Sequence, residues 1–372
     1  MKILIVQDAL RSGGTERQSV FLANAFAAAG QDVTLLTFRP GGRLAPTVSA
    51  AVHRWSLQPI DLGLDWFAPG LGSVVRHHRP DVVLCMGRMA NSHAGSIQRR
   101  APGAAVIATM RTGKPLPWLF RRSLRQVRHV VSNSRDARDV LVSRYGVPAE
   151  MISVIHNSLV FPPEPASGND ALVVQNERTQ FRARHGASER TTVLLCVAMF
   201  RPEKNQRELI EIAAGLPEDG DVQLWLAGDG PAKRECEQLA AELKAGARVR
   251  FVGFHKDPTL LYAAADIAVH ASSSESLSNF LIEAQAHGLP AVAYEAQGIA
   301  ECFVPGETGW VIPRGDRSQF QERLLALTAE SAEARARRTA EARTFARQTF
   351  DPQRQVQAYL ELFERFSRDA ET

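Results

Sequence analysis

The feature that most restricts this chain is an alternation of short apolar runs with amphipathic stretches, which occurs twice. In the first half the runs are Ile3–Val6, Val33–Thr37, Val82–Met86, Val106–Thr109, Val130–Val131 and Ile152–Ile155. Apolar runs of this kind, bounded by turn signals, read as strands buried on both faces. Between the first two lies Thr15–Ala29, where Val20, Phe21, Ala23, Ala25 and Phe26 suit a helix and Gly30 suits its stop. Strand, helix and strand in this order predict a parallel sheet covered by helices. The rhythm lapses over 161–170, FPPEPASGND, whose prolines and small polar residues read as a linker. It restarts at Val193–Val197 and continues through Val222–Ala227, Val249–Val252, Ile267–His270 and Pro290–Ala293. The stretch Ser331–Arg368 is charged and helical in character. The expectation is an α/β chain of two Rossmann-like parallel-sheet domains facing across a cleft. They span 1–165 and 166–351, with a last helix, about 352–372, crossing back to the first.

Composition narrows the class. The four cysteines, Cys85, Cys196, Cys236 and Cys302, are widely spaced and form no C-x-x-C pair. That pattern disfavours a disulfide framework or a zinc site and favours buried thiols in a reducing cytosol. The opening MKILIVQDAL has too short an apolar core for a signal peptide. No window reaches the roughly 18 apolar residues of a membrane span. Residues 1–165 carry 20 Lys and Arg against 10 Asp and Glu, whereas the remainder carries 24 against 30. A basic first half suits an anionic partner and equally suits a solvated Arg-rich face.

In open α/β sheets ligands bind outside the carboxyl ends of the strands. Three constellations occupy such loops. Ser12-Gly13-Gly14-Thr15-Glu16 follows the first strand; glycines there admit a ligand to the backbone, and the helix N-terminus attracts phosphate. This is not G-x-G-x-x-G, so a dinucleotide site is disfavoured. Arg201-Pro202-Glu203-Lys204-Asn205 follows Val193–Val197 and sets two cations three residues apart. Arg as a fork and Lys as a point charge suit a diphosphate and would stabilise charge on a leaving phosphate. The third runs from Glu275 to Glu283. Ser278 or Asn279 reads as the N-cap of a helix over Phe280–His287. Backbone N–H groups at Leu277, Ser278 and Asn279 would face anionic oxygens. Glu283 sits among Leu281, Ile282, Ala284 and Ala286, an apolar setting for a carboxylate that could accept from ribose hydroxyls.

Together these stretches resemble the retaining glycosyltransferases of family 4 (glycosyl transferases group 1), which share the GT-B fold. The matching run is VAMFRPEKN, LAGDGP, RVRFVGF, AAADIAVHASSSESLSNFLIEAQAHGLPAV and GETGWVIP, with weaker matches in SGGTER, VSNSRDARDVL and VIHNS. The resemblance covers roughly 1–350. It implies that Lys204 binds donor phosphate, Glu283 the ribose and Glu275 the donor sugar. Leu277, Ser278 and Asn279 would wrap sugar and phosphate, and Gly13 and Gly14 would close over the donor from the first domain. It further implies a nucleotide-sugar donor, commonly a UDP-sugar, and a glycan or lipid-linked acceptor in bacterial surface polysaccharide synthesis, at the cytoplasmic side of the membrane.

Some residues depart from the family pattern. Ala198-Met199 stands where Gly-Arg is usual, so the Arg role falls to Arg201. Ser276 follows the first glutamate in place of Gly. Met110-Arg111 stands where a His often follows the fourth strand, which makes Arg111 a candidate acceptor or sugar contact. No metal or cofactor is expected: Asp219-Gly220-Asp221 spells D-x-D but lies before a strand, on the wrong side of the sheet, and Arg201 with Lys204 would replace a cation. For catalysis the expectation rests on Glu275, Arg201 and Lys204. The first-domain loops expected near the cleft offer Asp8, just past a strand end, and Glu16, in the first helical turn, and neither is compelling as a nucleophile. The segment Trp118–Arg128 joins bulky apolar residues to Arg121, Arg122, Arg125 and Arg128. It reads equally as a helix packed on the core and as a segment lying on an anionic membrane surface. The rival readings are a non-hydrolysing nucleotide-sugar 2-epimerase on the same fold and an inactive sugar-nucleotide binding subunit. The ordered motifs disfavour the first, and the intact Lys204, Glu275 and Glu283 disfavour the second.

Overall fold

A computed structural model describes residues 1–159, 161, 169–218 and 220–368. The chain divides into two compact units, one of Met1–Ser158 with the chain from Pro352 onward, the other of Leu159–Asp351. Most of the expected linker, and the expected boundary at 165/166, lie outside the described residues.

The strands of the first unit are β1 (Lys2–Gln7), β2 (Asp32–Thr37), β3 (His53–Ser56), β4 (Val82–Cys85), β5 (Ala105–Met110), β6 (His129–Ser132) and β7 (Ile152–Val154). They form one sheet in the order β3-β2-β1-β4-β5-β6-β7, with every neighbouring pair parallel. The second unit contains β8 (Thr192–Val197), β9 (Val222–Ala227), β10 (Val249–Gly253), β11 (Ile267–His270), β12 (Ala291–Tyr294) and β13 (Gly309–Ile312). Their order is β10-β9-β8-β11-β12-β13, again all parallel. Both sheets therefore reverse direction of growth beside their first strand, between β1 and β4 and between β8 and β11. This is the doubly wound arrangement, whose crevice lies at that switch point.

The helices are, in order, α1 (Gly14–Ala28), α2 (Leu71–His78), α3 (Arg88–Arg100), α4 (Trp118–Leu124), α5 (Arg135–Tyr145), α6 (Asn169–Arg184), α7 (Gln206–Ala214), α8 (Lys233–Glu242), α9 (Thr259–Ala264), α10 (Asn279–Ala286), α11 (Arg317–Thr328), α12 (Ala332–Thr349) and α13 (Pro352–Arg368). Two strands escape the sequence pattern. β3 is polar and exposed at an edge of the first sheet, and β13, at an edge of the second, is four residues that open on a glycine. The long charged segment is two helices, broken at Asp351 before Pro352, which lacks the N–H to continue α12 and suits the start of α13.

Alternation along the strands builds a core on each face of each sheet. In the first unit Leu4 and Val6 face one cluster, with Ala94, Ile97 and Phe120; Ile3 and Ile5 face the other, with Phe26, Tyr359 and Phe363. The second cluster shows what α13 does. Phe26 of α1 meets Phe363 at 5.5 Å and Tyr359 at 6.1 Å, both edge-to-face. Gln355 of the same helix donates to the His156 carbonyl at 2.7 Å and to Gln18 Oε1 at 3.1 Å, while its own Oε1 accepts from Ser158 Oγ at 2.6 Å. So α13, last in the chain, completes the core of the first unit. In the second unit Leu194 and Cys196 face one cluster and Val193 and Leu195 the other. The buried Arg182 at the end of α6 donates to the carbonyls of Ala264 at 2.6 Å and Ser188 at 2.9 Å and meets Asp266 at 3.2 Å, so its charge is paired out of water.

All four cysteines are buried free thiols. Burial pushes Cys196 up to about 12 and Cys236 to about 11, which keeps both as protonated packing groups. No helix among the described residues is long and apolar enough to cross a membrane.

Candidate active site

At the switch point of the second sheet two loops are tied together. The loop after β8 makes one 3-10 turn, Pro202–Lys204, and Asn205 takes the left-handed conformation (φ 50°) that lets the chain enter α7. The loop after β11 crosses it: the Ser273 N–H donates to the Glu203 carbonyl at 2.8 Å. A third loop, after β9, approaches as backbone against backbone. Gly228 and Gly230 have φ of 138° and 150°, and a Cβ at either would strike Ala198 or Phe200. Only glycine serves at both positions, which explains the LAGDGP run physically.

This crossing brings Lys204 onto Glu275. The Lys204 Nζ pairs with Glu275 Oε1, and His270 Nε2, from the last residue of β11, reaches the same oxygen at 3.1 Å. Burial works to raise the Glu275 carboxyl, but the His270 hydrogen bond and the Lys204 charge outweigh it and hold the group down at about 2. Glu275 is thus a buried carboxylate that keeps its charge. Arg201 sits one turn before Lys204, exposed, and among the described residues its guanidinium has no hydrogen bond or ion pair.

Further along, Ser278 caps α10, its Oγ accepting from the Leu281 N–H at 3.5 Å. Leu277 and Ser278 are buried and Asn279 opens the helix. Glu283 lies in the middle of α10, half-buried, and Tyr262 of α9 donates to its Oε2 at 2.5 Å. The structure therefore joins Lys204 and Glu275 directly and fixes Glu283 through a tyrosine. His270 and Tyr262 escaped the sequence reading. The signal for His270 was a polar residue closing an otherwise apolar strand, five positions before Glu275; Tyr262 gave none. Of the D-x-D, Asp219 lies outside the described residues, and Asp221 accepts from Thr191 Oγ1 at 3.0 Å.

The first unit has its own pocket, about 240 Å³, at the carboxyl ends of β1, β4 and β5, with Asp8, Arg11, Glu16, Asp65, Arg88 and Arg111 on its walls. Gly13 caps α1 and Gly14 is that helix's first residue, immediately before Thr15 and Glu16 on the wall. Asp8 lies just past the end of β1 and accepts from the Ala90 N–H at 2.7 Å and the Met89 N–H at 3.0 Å at the start of α3. Burial pushes its carboxyl up to about 6 against these two donors, and the charges of Asp65 and Glu16 add to the rise. Arg111 is largely committed elsewhere: it donates to Tyr359 OH of α13 at 2.7 Å and to Asn157 Oδ1 at 2.5 Å. It lines the pocket and also anchors α13.

Most of these positions fall within two family matches. The model of glycosyl transferases group 1 matches residues 177–345, and that of glycosyltransferase family 4 matches residues 12–159. The chain belongs to the family 4 glycosyltransferases. Lys204, Glu275 and Glu283 of this glycosyltransferase lie in the first match; Gly13, Gly14 and Arg111 lie in the second. It is 28% identical to the lipopolysaccharide core biosynthesis glycosyltransferase LpsE of Rhizobium meliloti over 87% of each chain. It is 36% identical to the putative glycosyltransferase EpsD of Bacillus subtilis over 40% of this chain and 39% of that one. Its fold matches that of Anabaena HepE in complex with UDP at a TM-score of 0.82, with 21% identity, over 98% of this chain and 100% of the other. This is the GT-B fold that the resemblance implied, with a Rossmann-like sheet in each unit.

Proposed function

We propose that this glycosyltransferase moves a sugar from a UDP-sugar to a glycan or lipid-linked acceptor in bacterial surface polysaccharide synthesis, with retention at the anomeric carbon and without a metal ion. The observation that carries the reading is the Lys204–Glu275–His270 cluster beside the unpaired Arg201, at the switch point of the second sheet. A cation pair there suits a diphosphate, and a carboxylate held ionised suits the hydroxyls of a sugar. The UDP in the HepE structure and the lipopolysaccharide role of LpsE support the choice of donor and acceptor class.

In the proposed reaction Arg201 and Lys204 hold the diphosphate, and Glu283, steadied by Tyr262, accepts from the ribose hydroxyls. Leu277, Ser278 and Asn279 line the sugar and phosphate, and Glu275 orients the sugar. The bond from C1 to the phosphate oxygen breaks as the acceptor hydroxyl attacks the same face. The acceptor proton passes to the departing phosphate oxygen, whose growing charge the two cations stabilise. No carboxylate is needed beneath the ring. The pocket of the first unit, with Asp8 and Arg111, takes the acceptor.

We place the protein at the inner face of the membrane through Trp118–Arg128. Phe120, Ser123, Leu124 and Val127 are buried there, whereas Trp118 (61% exposed), Leu119 and all four arginines turn outward. Neutralising Arg121, Arg122, Arg125 and Arg128 together should abolish sedimentation with anionic liposomes, each charge contributing about 1 kcal/mol.

The reaction is tested by offering UDP-, GDP- and ADP-sugars and following nucleotide release, with the anomer of any product read by NMR. Release from a UDP-sugar with a retained anomer supports the reading; an epimerised donor sugar, or no turnover with any donor and acceptor fraction, sinks it. Intact mass after mixing with donor addresses the front-face step: an added sugar on Glu275 or Asp8 overturns it.

A further inference from the structure

A second cavity in the first unit, about 400 Å³, is walled by Pro115, Leu116, Arg121, Arg125, Arg144 and Tyr145. Three of its six walls are arginines, from two separate stretches of chain: Arg121 and Arg125 from α4 and its end, and Arg144 from the last turn of α5. Among the described residues none of the three guanidiniums has a hydrogen bond or a carboxylate partner. The cavity is built rather than incidental. The Leu116 N–H donates to Tyr145 OH at 3.2 Å, which fixes the loop to α5, and the Arg144 guanidinium lies 5.7 Å from the Tyr145 ring centre. The neighbouring Arg122 faces elsewhere, over the Trp118 ring at 5.5 Å, and Arg128 is not part of the wall.

Like charges gathered in one concavity repel each other, and a cavity lined by one sign focuses field on whatever enters. Carboxylate neighbours would ordinarily relieve this, and here none does. Three forked donors on the wall of one cavity, none with an acceptor among the described residues, match a group with several anionic oxygens, for which guanidinium has the right planar geometry.

We propose that this cavity is a binding site for a multiply charged phosphate group, a phosphomonoester or a diphosphate, separate from the donor diphosphate site of the second unit. Such a group is carried by an anionic lipid headgroup, by a phosphorylated acceptor or by free phosphate. The site deepens the membrane reading without depending on it, because Arg144 lies outside Trp118–Arg128.

The test is a calorimetric titration of the full chain with inorganic pyrophosphate at low salt, repeated with Arg201→Gln and Lys204→Ala so that binding in the second unit is counted separately. Arg144→Gln should weaken the remaining site by about tenfold or more, the effect of losing a charge-assisted hydrogen bond. Arg128→Gln, which removes the same charge outside the cavity, should change it by about twofold or less. Equal loss in the two variants would mean diffuse attraction and overturn the site, as would no binding to the parent chain. Vesicles containing phosphatidic acid or phosphatidylglycerol at matched charge then identify the source. Preference for the phosphomonoester lipid, lost in Arg144→Gln, assigns a lipid headgroup; pyrophosphate binding with no lipid preference assigns a soluble or acceptor-borne phosphate. If Arg144→Gln leaves sedimentation intact yet abolishes pyrophosphate binding, the cavity stands and the membrane reading rests on the exposed face alone.

Discussion

The two switch points have the same topology and shift their carboxyls in opposite directions. Each presents a carboxylate at a strand end or in the loop just beyond it. Asp8 in the first unit is buried with other acids nearby, and its pKa rises to about 6. Glu275 in the second is as deeply placed, but Lys204 and His270 converge on it and its pKa falls to about 2. Burial pushes both groups upward; what decides the sign is the neighbouring charge. The fold supplies a crevice and is silent about what enters it. A cationic crevice suits a diphosphate, whereas a crevice whose acid can exchange its proton about one unit below neutral pH suits a ligand that presents hydroxyls. Two copies of one architecture thus diverge through a handful of loop residues.

The largest test of that contrast is Lys204→Ala. It removes one stabilising cation from the leaving group and should lower kcat/KM by about 10²- to 10³-fold, the effect of losing one preorganised donor. It also leaves Glu275 buried without its countercharge, so the carboxyl should titrate higher. Turnover within a few-fold of the parent would break the assignment. Next comes Glu283→Ala, expected to weaken UDP binding by about ten- to a hundredfold, the range of hydrogen bonds to a charged group. Unchanged UDP affinity by calorimetry would remove Glu283 from the donor site.

A gentler test reads the carboxyls directly by NMR titration of labelled side chains. Asp8 should have its midpoint near 6 and Glu275 near 2. The signs carry over to stability. Asp8 holds its proton more tightly when folded, so it adds stability as pH falls from about 6 towards its ordinary 3.8, and removes it as pH rises through that window. Glu275 does the reverse: its contribution is complete above about 4.5 and is lost as pH falls towards 2. Asp8 titrating near 3.8 would erase the contrast. The smallest expected effect is none: EDTA should leave turnover unchanged, since in the proposed reaction Arg201 and Lys204 stand in for a cation. Activity lost to chelation and restored by a divalent ion would overturn that.

How much of this was legible in the sequence follows from physics. Strands buried on both faces announce themselves as apolar runs, so β1, β4, β5, β8 and β9 are plain to read. The edge strand β3 is not, because it exposes all of its residues and needs no apolar pattern. In the site, Lys204 and Glu275 were findable because loop residues after strands stand out against helical periodicity, and Glu283 because it is a carboxylate among Leu281, Ile282, Ala284 and Ala286. Their partners were not. His270 looks like the end of a strand, and Tyr262 lies on a short helix whose register with α10 no local signal fixes. Arg111 shows the converse: it was read only as a candidate contact for acceptor or sugar, yet it also anchors a helix far along the chain, through a hydrogen bond to Tyr359 across a separation that spacing cannot encode. The Trp118–Arg128 segment left two readings open because one amphipathic helix satisfies both; its inner residues pack on the core and its outer face remains available.

The position of α13 has a consequence for how the protein is made. A polypeptide leaves the ribosome from its N-terminus, and domains generally fold as units in that order. Here the first unit lacks Tyr359, Leu362 and Phe363 until the whole of the second has been synthesised. Its aromatic floor around Phe26 stays uncovered through that interval, so the segment begun first is the one completed last. Premature termination anywhere before Pro352 would therefore damage the remote N-terminal half most, leaving an apolar face for chaperones or for aggregation, while the contiguous middle of the chain could still reach its native form.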